Sequence, residues 1–88
     1  MFVMTPAAGV YLHAVLDKAQ VPEETAIRFV IEDNSLNTRL DTSRPGDATF
    51  DHDGRKVLIL DEQVSQLLDT STLDVQPTPE GERLVLKA

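Results

Sequence analysis

The sequence contains no cysteine among its 88 residues. Disulfides, zinc ribbons, thiol catalysis and thiolate-bound iron–sulfur clusters are therefore excluded for these residues acting alone, because each requires cysteine sulfur. Aromatic residues are also few, with three phenylalanines and one tyrosine. We therefore expect a hydrophobic core built mainly from Val, Leu, Ile and Ala.

Basic residues are scarce as well: eight Lys and Arg stand against fifteen Asp and Glu, which gives a net charge of −7. Only Arg55 and Lys56 are adjacent, whereas binding to a phosphate backbone needs clustered basic side chains. We therefore expect no nucleic-acid partner. The acidic surface first of all favours solubility, and it is also compatible with a protein partner that carries a basic patch.

Long apolar runs are missing too. The run Met1–Met4 ends at Thr5 and Pro6, far short of the roughly eighteen residues that a membrane span requires. No basic segment precedes an apolar stretch, as it would in a signal peptide. The sequence therefore predicts a soluble, cytoplasmic protein that does not bind membranes, and its length predicts a single domain over residues 1–88.

Two segments have the apolar spacing of helices. Thr5 suits an N-cap, and the proline that follows suits the first helical position. The pattern predicts a helix over about Pro6–Gln20, in which Gly9 costs about 1 kcal/mol relative to alanine. Asp61 is a second N-cap, and the apolar spacing after it predicts a short helix over about Glu62–Leu68.

Several short segments rich in β-branched and aromatic residues predict strands. In chain order they are Phe2–Met4, Ala26–Glu32, Leu36–Thr42, Ala48–Phe50, Lys56–Leu60, Thr72–Gln76 and Arg83–Lys87. The segment KVLIL in the fifth of them is typical of a central, buried strand. Pro45-Gly46 predicts a turn, and PTPEGE (Pro77–Glu82) predicts a loop. The order of elements indicates an α+β fold with a mainly antiparallel sheet and no internal repeat.

The segment FDHDGRK, Phe50–Lys56, groups Asp51, His52 and Asp53 as potential metal ligands. An EF-hand calcium loop that begins at Asp51 needs an oxygen ligand at its fifth position and glycine at its sixth, where this sequence has arginine and lysine. Asp53-Gly54 instead predicts a tight two-residue hairpin. In such a hairpin Asp51 and Asp53 point to one side and His52 to the other, so the three side chains do not converge.

The only histidines are His13 and His52. A metal site with oxygen and nitrogen ligands would have to combine them with carboxylates such as Glu32 and Asp33, and nothing in the spacing favours this. His13 instead predicts a surface pair with Asp17, four residues later. No serine lies in a nucleophile elbow, and no glycine-rich phosphate loop is present. We expect no enzyme activity, no catalytic or metal-binding residue and no resident cofactor.

The order of motifs resembles the A-type iron–sulfur carrier family, the HesB/IscA-like proteins. In Gly46–Val75, GDATFDHDGRKVLILDEQVSQLLDTSTLDV, a Gly-Asp turn, an Asp-Gly hairpin, a buried strand, a short helix and an Asp-Val strand follow one another as in that family. Met4–Ala8 is similar to the family's Leu-Thr-x-Ala-Ala helix start, and Ile27-Arg28 to its Leu-Arg strand. The resemblance implies the compact α+β fold of the family.

The sequence departs from the family at the positions that bind the cluster. The family's first cysteine lies in a Gly-Gly-Cys-Ser-Gly loop, where this sequence has EDNSL, Glu32–Leu36. The family's Cys-Gly-Cys tail would come after Lys87-Ala88. Glu32, Asp33 and Asn34 offer only oxygen, a poor substitute because clusters prefer sulfur. No cluster-binding residue is therefore carried over.

Cysteine-free versions of this domain within the family look like recognition modules. The resemblance therefore implies a non-catalytic protein-interaction or targeting module in iron–sulfur cluster or sulfur metabolism. Its protein partner would bind at an exposed strand edge or at the acidic face. One alternative is a metal-binding protein that uses Glu32, Asp33, His13 and His52; another is a self-associating structural domain that forms a homodimer.

Overall fold

A computed structural model describes residues 1–88 as two helices and seven strands. The helices are α1 (Pro6–Ala19) and α2 (Glu62–Leu67). The strands are β1 (Val3–Met4), β2 (Thr25–Glu32), β3 (Ser35–Thr42), β4 (Ala48–His52), β5 (Arg55–Leu60), β6 (Thr72–Thr78) and β7 (Gly81–Lys87). Every predicted helix and strand is present to within two residues at each end, which confirms the α+β prediction. Neither helix has the length and apolar character needed to cross a membrane.

The strands form two sheets, with the orders β1-β6-β7 and β3-β2-β5-β4. The three hairpins β2–β3, β4–β5 and β6–β7 are antiparallel, which confirms the mainly antiparallel prediction. The pairs β1–β6 and β2–β5 are parallel and join segments that are distant in the sequence. The sequence does not predict the division into two sheets, because hairpin turns leave local signals whereas long-range pairs do not.

Tight turns close the hairpins. Asp33 and Asn34 both have positive φ, as do Asp53 and Gly54, and this is the signature of type I′ turns. The predicted hairpin in Phe50–Lys56 is therefore confirmed. The predicted loop over Pro77–Glu82 is wrong in extent, because only residues 79 and 80 form the turn. Pro77 is tolerated inside β6 because β1 covers only the first two residues of that strand, so the strand edge beside the proline is open.

The hydrophobic core is a cluster of eleven buried residues to which both helices and both sheets contribute. Its members are Phe2, Ala8, Leu12, Leu16, Ile27, Phe29, Val57, Leu58, Leu60, Val64 and Leu73. Only two of them are aromatic, as the composition predicts. The last four residues of β5 are fully buried, and this strand lies between β2 and β4. KVLIL is therefore the central strand that the sequence indicates.

Thr5 connects the start of α1 to β6. Its hydroxyl oxygen accepts a hydrogen bond from the backbone N–H of Ala8 at 3.1 Å, which confirms the predicted N-cap. The same hydroxyl donates to the Asp74 carboxylate at 2.9 Å. The backbone N–H of Val75, followed by Lys87 and Thr5, holds the pKa of Asp74 below its ordinary value. The cap therefore fixes the position of α1 as well as its first residue.

Arg28 on β2 is the one buried charged side chain, with 5% of its surface exposed. Its guanidinium donates to the Asp47 carboxylate through Nη2 at 2.5 Å and through Nη1 at 3.3 Å. Nε donates to Asp41 on β3 at 2.9 Å, and Nη2 also donates to the carbonyl oxygen of Thr42. One side chain therefore joins β2, β3 and the turn that precedes β4.

The Arg28 network lowers the pKa of both carboxylates. For Asp47 the largest cause is the hydrogen bond from Arg28, with a further contribution from the backbone N–H of Arg44. For Asp41 the largest cause is the backbone N–H of Thr42, and Arg28 adds to it. The folded state therefore favours the ionised form of both side chains.

A β-bulge at Val57 decides which side chains of the β4–β5 hairpin face α1. The register between the two strands shifts by one residue at this point, so Val57 has no partner of its own on β4. Such a bulge changes the alternation of side chains along the strand. As a result Arg55, and not Lys56, is paired with His52 and lies on the side of the hairpin that faces α1.

Gly9 allows this hairpin to approach α1 closely. A Cβ atom at position 9 would lie 2.7 Å from His52 Nδ1 and 3.0 Å from His52 Cγ. The imidazole of His52 therefore packs directly on the helix backbone, where any larger residue would displace it. The roughly 1 kcal/mol that glycine costs inside a helix is offset by this contact.

Replacing Asp47 with asparagine should lower the free energy of unfolding by about 3 kcal/mol at neutral pH, because the buried Arg28 would lose its charged partner. Urea denaturation followed by circular dichroism measures this change. Asp69→Asn is the matched control, since that side chain is 70% exposed, and it should change stability by less than about 0.5 kcal/mol. Equal effects of the two substitutions would contradict the structural role of the Arg28 network.

The same network predicts the response to acid. Because folding lowers the pKa of Asp41 and Asp47, the stability they contribute is present above the unfolded-state pKa and is lost as the pH falls through the folded-state pKa. We expect the urea midpoint to decline below about pH 5, with the main loss below about pH 4. The decline should be shallower in Asp47→Asn; parallel pH profiles would refute this assignment.

The effect of Gly9→Ala on stability should depend on whether the His52 ring is present. Gly9→Ala should destabilise the protein, although alanine is by about 1 kcal/mol the better helix residue. In a His52→Ala background the same substitution should no longer be destabilising, because the clash with the ring is gone. Denaturation of the four variants gives the coupling energy. A Gly9→Ala variant that is more stable than the unmutated protein would refute the contact.

Candidate functional site

A polar cleft lies between α1 and the β4–β5 hairpin. Its volume is about 320 Å³ and its lining residues are all polar or glycine. A second hollow of about 190 Å³ adjoins it and shares three of its lining residues. We call the two together the histidine cleft, whose charged and histidine residues are His13, Asp17, Glu23, His52, Asp53, Arg55 and Lys56.

The two histidines of the sequence meet in this cleft. The ring centroids of His13 and His52 lie 6.1 Å apart, with an angle of 76° between the ring planes. Their spacing along the chain does not predict this meeting. The signal that could have predicted it is Gly9, because residues four apart lie on one helix face. A hairpin side chain that packs on Gly9 therefore also reaches His13.

Each histidine also has a carboxylate neighbour. His13 Nδ1 lies 3.1 Å from Asp17 Oδ2, which confirms the predicted surface pair. His52 Nε2 lies 3.5 Å from Asp53 Oδ2. The prediction that His52 and Asp53 point apart is therefore wrong, because strict alternation ends where the type I′ turn begins. Asp51 is exposed and does not line the cleft, so two of the three predicted side chains converge.

The two basic side chains of the cleft already have partners within the chain. Arg55 Nη1 lies 3.5 Å from Asp17 Oδ1, and its Nη2 donates to the carbonyl oxygen of Pro22 at 3.3 Å. Arg55 Nε is buried without a hydrogen-bond partner. Lys56 Nζ donates to the hydroxyl oxygen of Ser43, at 2.9 Å.

The opening of the cleft is consequently acidic. The side chains of Asp17 and Asp53 are 60% and 82% exposed, and Glu23 is exposed as well. Three carboxylates therefore face solvent around this hollow, and only Asp17 among them contacts one of its two basic side chains, Arg55. Such a surface attracts a cationic group.

The structure does not assemble the metal site that the sequence leaves open. Glu32 and Asp33 lie at the tip of the β2–β3 hairpin, and Glu32 accepts a hydrogen bond from Arg39 at 2.5 Å. They do not line the cleft that contains His13 and His52. No group of three or more histidine, aspartate or glutamate side chains is arranged to hold a metal ion.

The segment that the resemblance aligns with the family's first cysteine loop does not fit an iron–sulfur cluster. Glu32 and Ser35 form the last pair of the β2–β3 hairpin, and Asp33 and Asn34 form its type I′ turn. The chain therefore has no open loop at this position. Its side-chain donors are oxygen or amide groups, and clusters are held by sulfur.

Known structures with the same architecture identify the fold. SufA of Escherichia coli, which is involved in biosynthesis of iron–sulfur clusters, superposes with a TM-score of 0.71 over 98% of this chain and 83% of its own, at 21% sequence identity. A protein from Aquifex aeolicus solved by NMR gives 0.69 over 99% and 90%, at 19% identity. IscA, crystallised with its [2Fe–2S] cluster, gives 0.62 over 99% and 84%, at 17% identity.

The amino-acid sequence matches no protein-family model and no curated protein. The structural similarity nevertheless covers nearly the whole chain and agrees with the order of motifs from Met4 to Val75. These 88 residues have the fold of the A-type iron–sulfur carriers SufA and IscA, without a single cysteine.

Proposed function

We propose that the chain is a non-catalytic protein-interaction module of iron–sulfur cluster or sulfur metabolism. The proposal rests on one observation. The chain has the fold of SufA over 98% of its length, but a closed two-residue turn, Asp33-Asn34, occupies the position at which the resemblance places the family's first cysteine loop. Such a domain can contribute shape and charge to an assembly, but it offers no thiolate to a cluster. Fold alone does not determine function, so the binding site and the kind of partner have to be inferred from the chemistry of the surface.

The histidine cleft is the surface that we assign to the partner. Its exposed carboxylates, Asp17, Glu23 and Asp53, surround a hollow large enough for a side chain. Both of its basic residues already have partners within the chain, because Arg55 contacts Asp17 and the carbonyl oxygen of Pro22 and Lys56 donates to Ser43. A partner that inserts a lysine or arginine would pair with Glu23, which has no salt bridge within the chain, and would share Asp17 with Arg55 and Asp53 with His52. The net charge of −7 adds long-range attraction for such a partner.

Enzyme activity is no part of this proposal. Histidine and aspartate side chains do meet in the cleft, but no serine, threonine or tyrosine lines it as a nucleophile or hydroxyl acid. The partner is proposed to be a client apo-protein or an assembly protein, because SufA is involved in biosynthesis of iron–sulfur clusters and IscA binds a [2Fe–2S] cluster.

Affinity capture from lysate of the native organism tests the proposal. The unmutated chain should enrich iron–sulfur or sulfur-metabolism proteins identified by mass spectrometry. Replacing Asp17 and Asp53 with asparagine and Glu23 with glutamine should weaken capture about tenfold, since exposed ion pairs contribute about 0.5 kcal/mol each. Raising the salt concentration to about 0.5 M should have a similar effect.

The matched control replaces Asp69 with asparagine and Glu62 and Glu80 with glutamine, which removes the same number of charges away from the cleft. Circular dichroism should show that both triple variants are folded. Recovery of no iron–sulfur or sulfur-metabolism protein would refute the proposal. An equal loss of capture in the two triple variants would refute the assignment of the cleft.

A further inference from the structure

Strand β3 is an open edge of the four-stranded sheet. It pairs with β2 along its whole length, from Ser35 to Thr42, and no strand lies on its other side. All of its residues are exposed except Asp41, which is half-buried. An eight-residue strand of this kind presents a row of unpaired backbone groups to solvent.

The hairpin geometry shows which residues carry these unpaired groups. In a two-residue hairpin the pair next to the turn, here Glu32 and Ser35, exchanges both of its backbone hydrogen bonds. Hydrogen-bonded and open pairs then alternate along the ladder. Leu36, Thr38 and Leu40 therefore direct their N–H and C=O groups outward from the sheet edge.

The edge has none of the usual features that prevent strand addition. β3 contains no proline, glycine or lysine, and its ladder with β2 has no bulge. Its two charges are already compensated within the chain. Arg39 lies 2.5 Å from Glu32, and Asp41 contacts both Arg28 and Arg44. A neutral edge on a chain of charge −7 is the place where a second acidic chain meets the least repulsion.

The inner face of β3 borders an apolar groove that no other element covers. One part of the groove, about 200 Å³, lies between β3 and the β6–β7 hairpin and is lined by Phe29, Leu36, Thr38, Leu73, Leu84, Val85 and Leu86. A second part of about 210 Å³ continues towards α1 and shares Thr38 and Leu84 with the first. Leu36 and Leu40 remain 37% and 50% exposed.

We propose that β3 pairs with β3 of a second copy of this chain, antiparallel and centred on Thr38. In this register Thr38 lies opposite its counterpart, and Leu36 lies opposite Leu40 of the second copy, twice across the two-fold axis. The four leucines then form two cross-strand apolar pairs over the groove. The two four-stranded sheets become one continuous sheet of eight strands.

The outer face is compatible with the same register. Asn37 lies opposite Arg39 of the second copy, and Ser35 lies opposite Asp41, so no like charges face each other. Moving the two-fold centre from Thr38 to Arg39, a slip of two residues between the strands, would place Arg39 opposite its own counterpart, which is unfavourable. The sequence of β3 is therefore complementary to itself about Thr38, a property that an unrelated peptide would match only by chance.

This interface is separate from the histidine cleft, and salt should affect the two in opposite ways. Salt weakens the binding of a basic partner to the cleft, whereas it screens the repulsion between two chains of charge −7 and should strengthen the dimer. The triple substitution in the cleft should therefore leave the β3 pairing intact.

Sedimentation equilibrium tests the pairing. At concentrations up to about 1 mM the mass should rise from 9.7 kDa towards twice that value, and more steeply in about 0.5 M salt. Thr38→Pro removes an outward N–H without breaking a bond to β2 and should abolish the dimer. Leu36→Lys should do the same, and it decides the question if Thr38→Pro fails to fold.

The cysteine-free sequence permits a direct test of the register. With Cα atoms about 5.5 Å apart in a hydrogen-bonded pair, Thr38→Cys should form an intermolecular disulfide readily. Arg39→Cys, the control, should do so much more slowly because its thiols are diagonal to each other. A monomer at every concentration, a dimer that survives both Thr38→Pro and Leu36→Lys, or faster crosslinking of Arg39→Cys would each overturn the proposal.

Discussion

The buried guanidinium of Arg28 is the interaction on which the four-stranded sheet depends. A charge of this kind is costly to remove from water unless its donors are satisfied, and here two carboxylates and a backbone carbonyl satisfy them. The partners come from β3 and from the turn before β4, so strands that are not neighbours in the sheet are fixed relative to each other. Because Arg28 holds β3 from its outer face, the apolar inner face of that strand remains open.

The local features of the fold were predictable because each depends on a few adjacent residues. Thr5 and Asp61 cap their helices as expected, and Asp53-Gly54 forms the expected hairpin. The long-range contacts that hold the sheet and form the histidine cleft were not predictable in this way. The partners of Arg28 lie 13 and 19 residues away, and His13 meets His52 through a parallel strand pair and a bulge that leave no periodic signal.

The fold that this chain shares with SufA and IscA forms here without any cysteine. Its stability here comes from a mainly aliphatic core, two capped helices and the Arg28 network, none of which uses the side chains of the turn residues Asp33 and Asn34. Those two residues, which the resemblance aligns with the family's first cysteine loop, are therefore not part of these contacts. The surfaces that remain for binding are an acidic hollow beside α1 and a self-complementary strand edge.

The unpaired residue at Val57 has a consequence for how this domain tolerates changes in length. Deletion of Val57 would remove the bulge but leave Lys56 opposite Asp51 and Arg55 opposite His52, so the pairs next to the hairpin tip would be kept. Deletion of Arg55 would instead move Lys56 opposite His52, and the arginine that contacts Asp17 would be lost. The position at which the strand loses a residue therefore decides whether the chemistry of the adjoining surface changes.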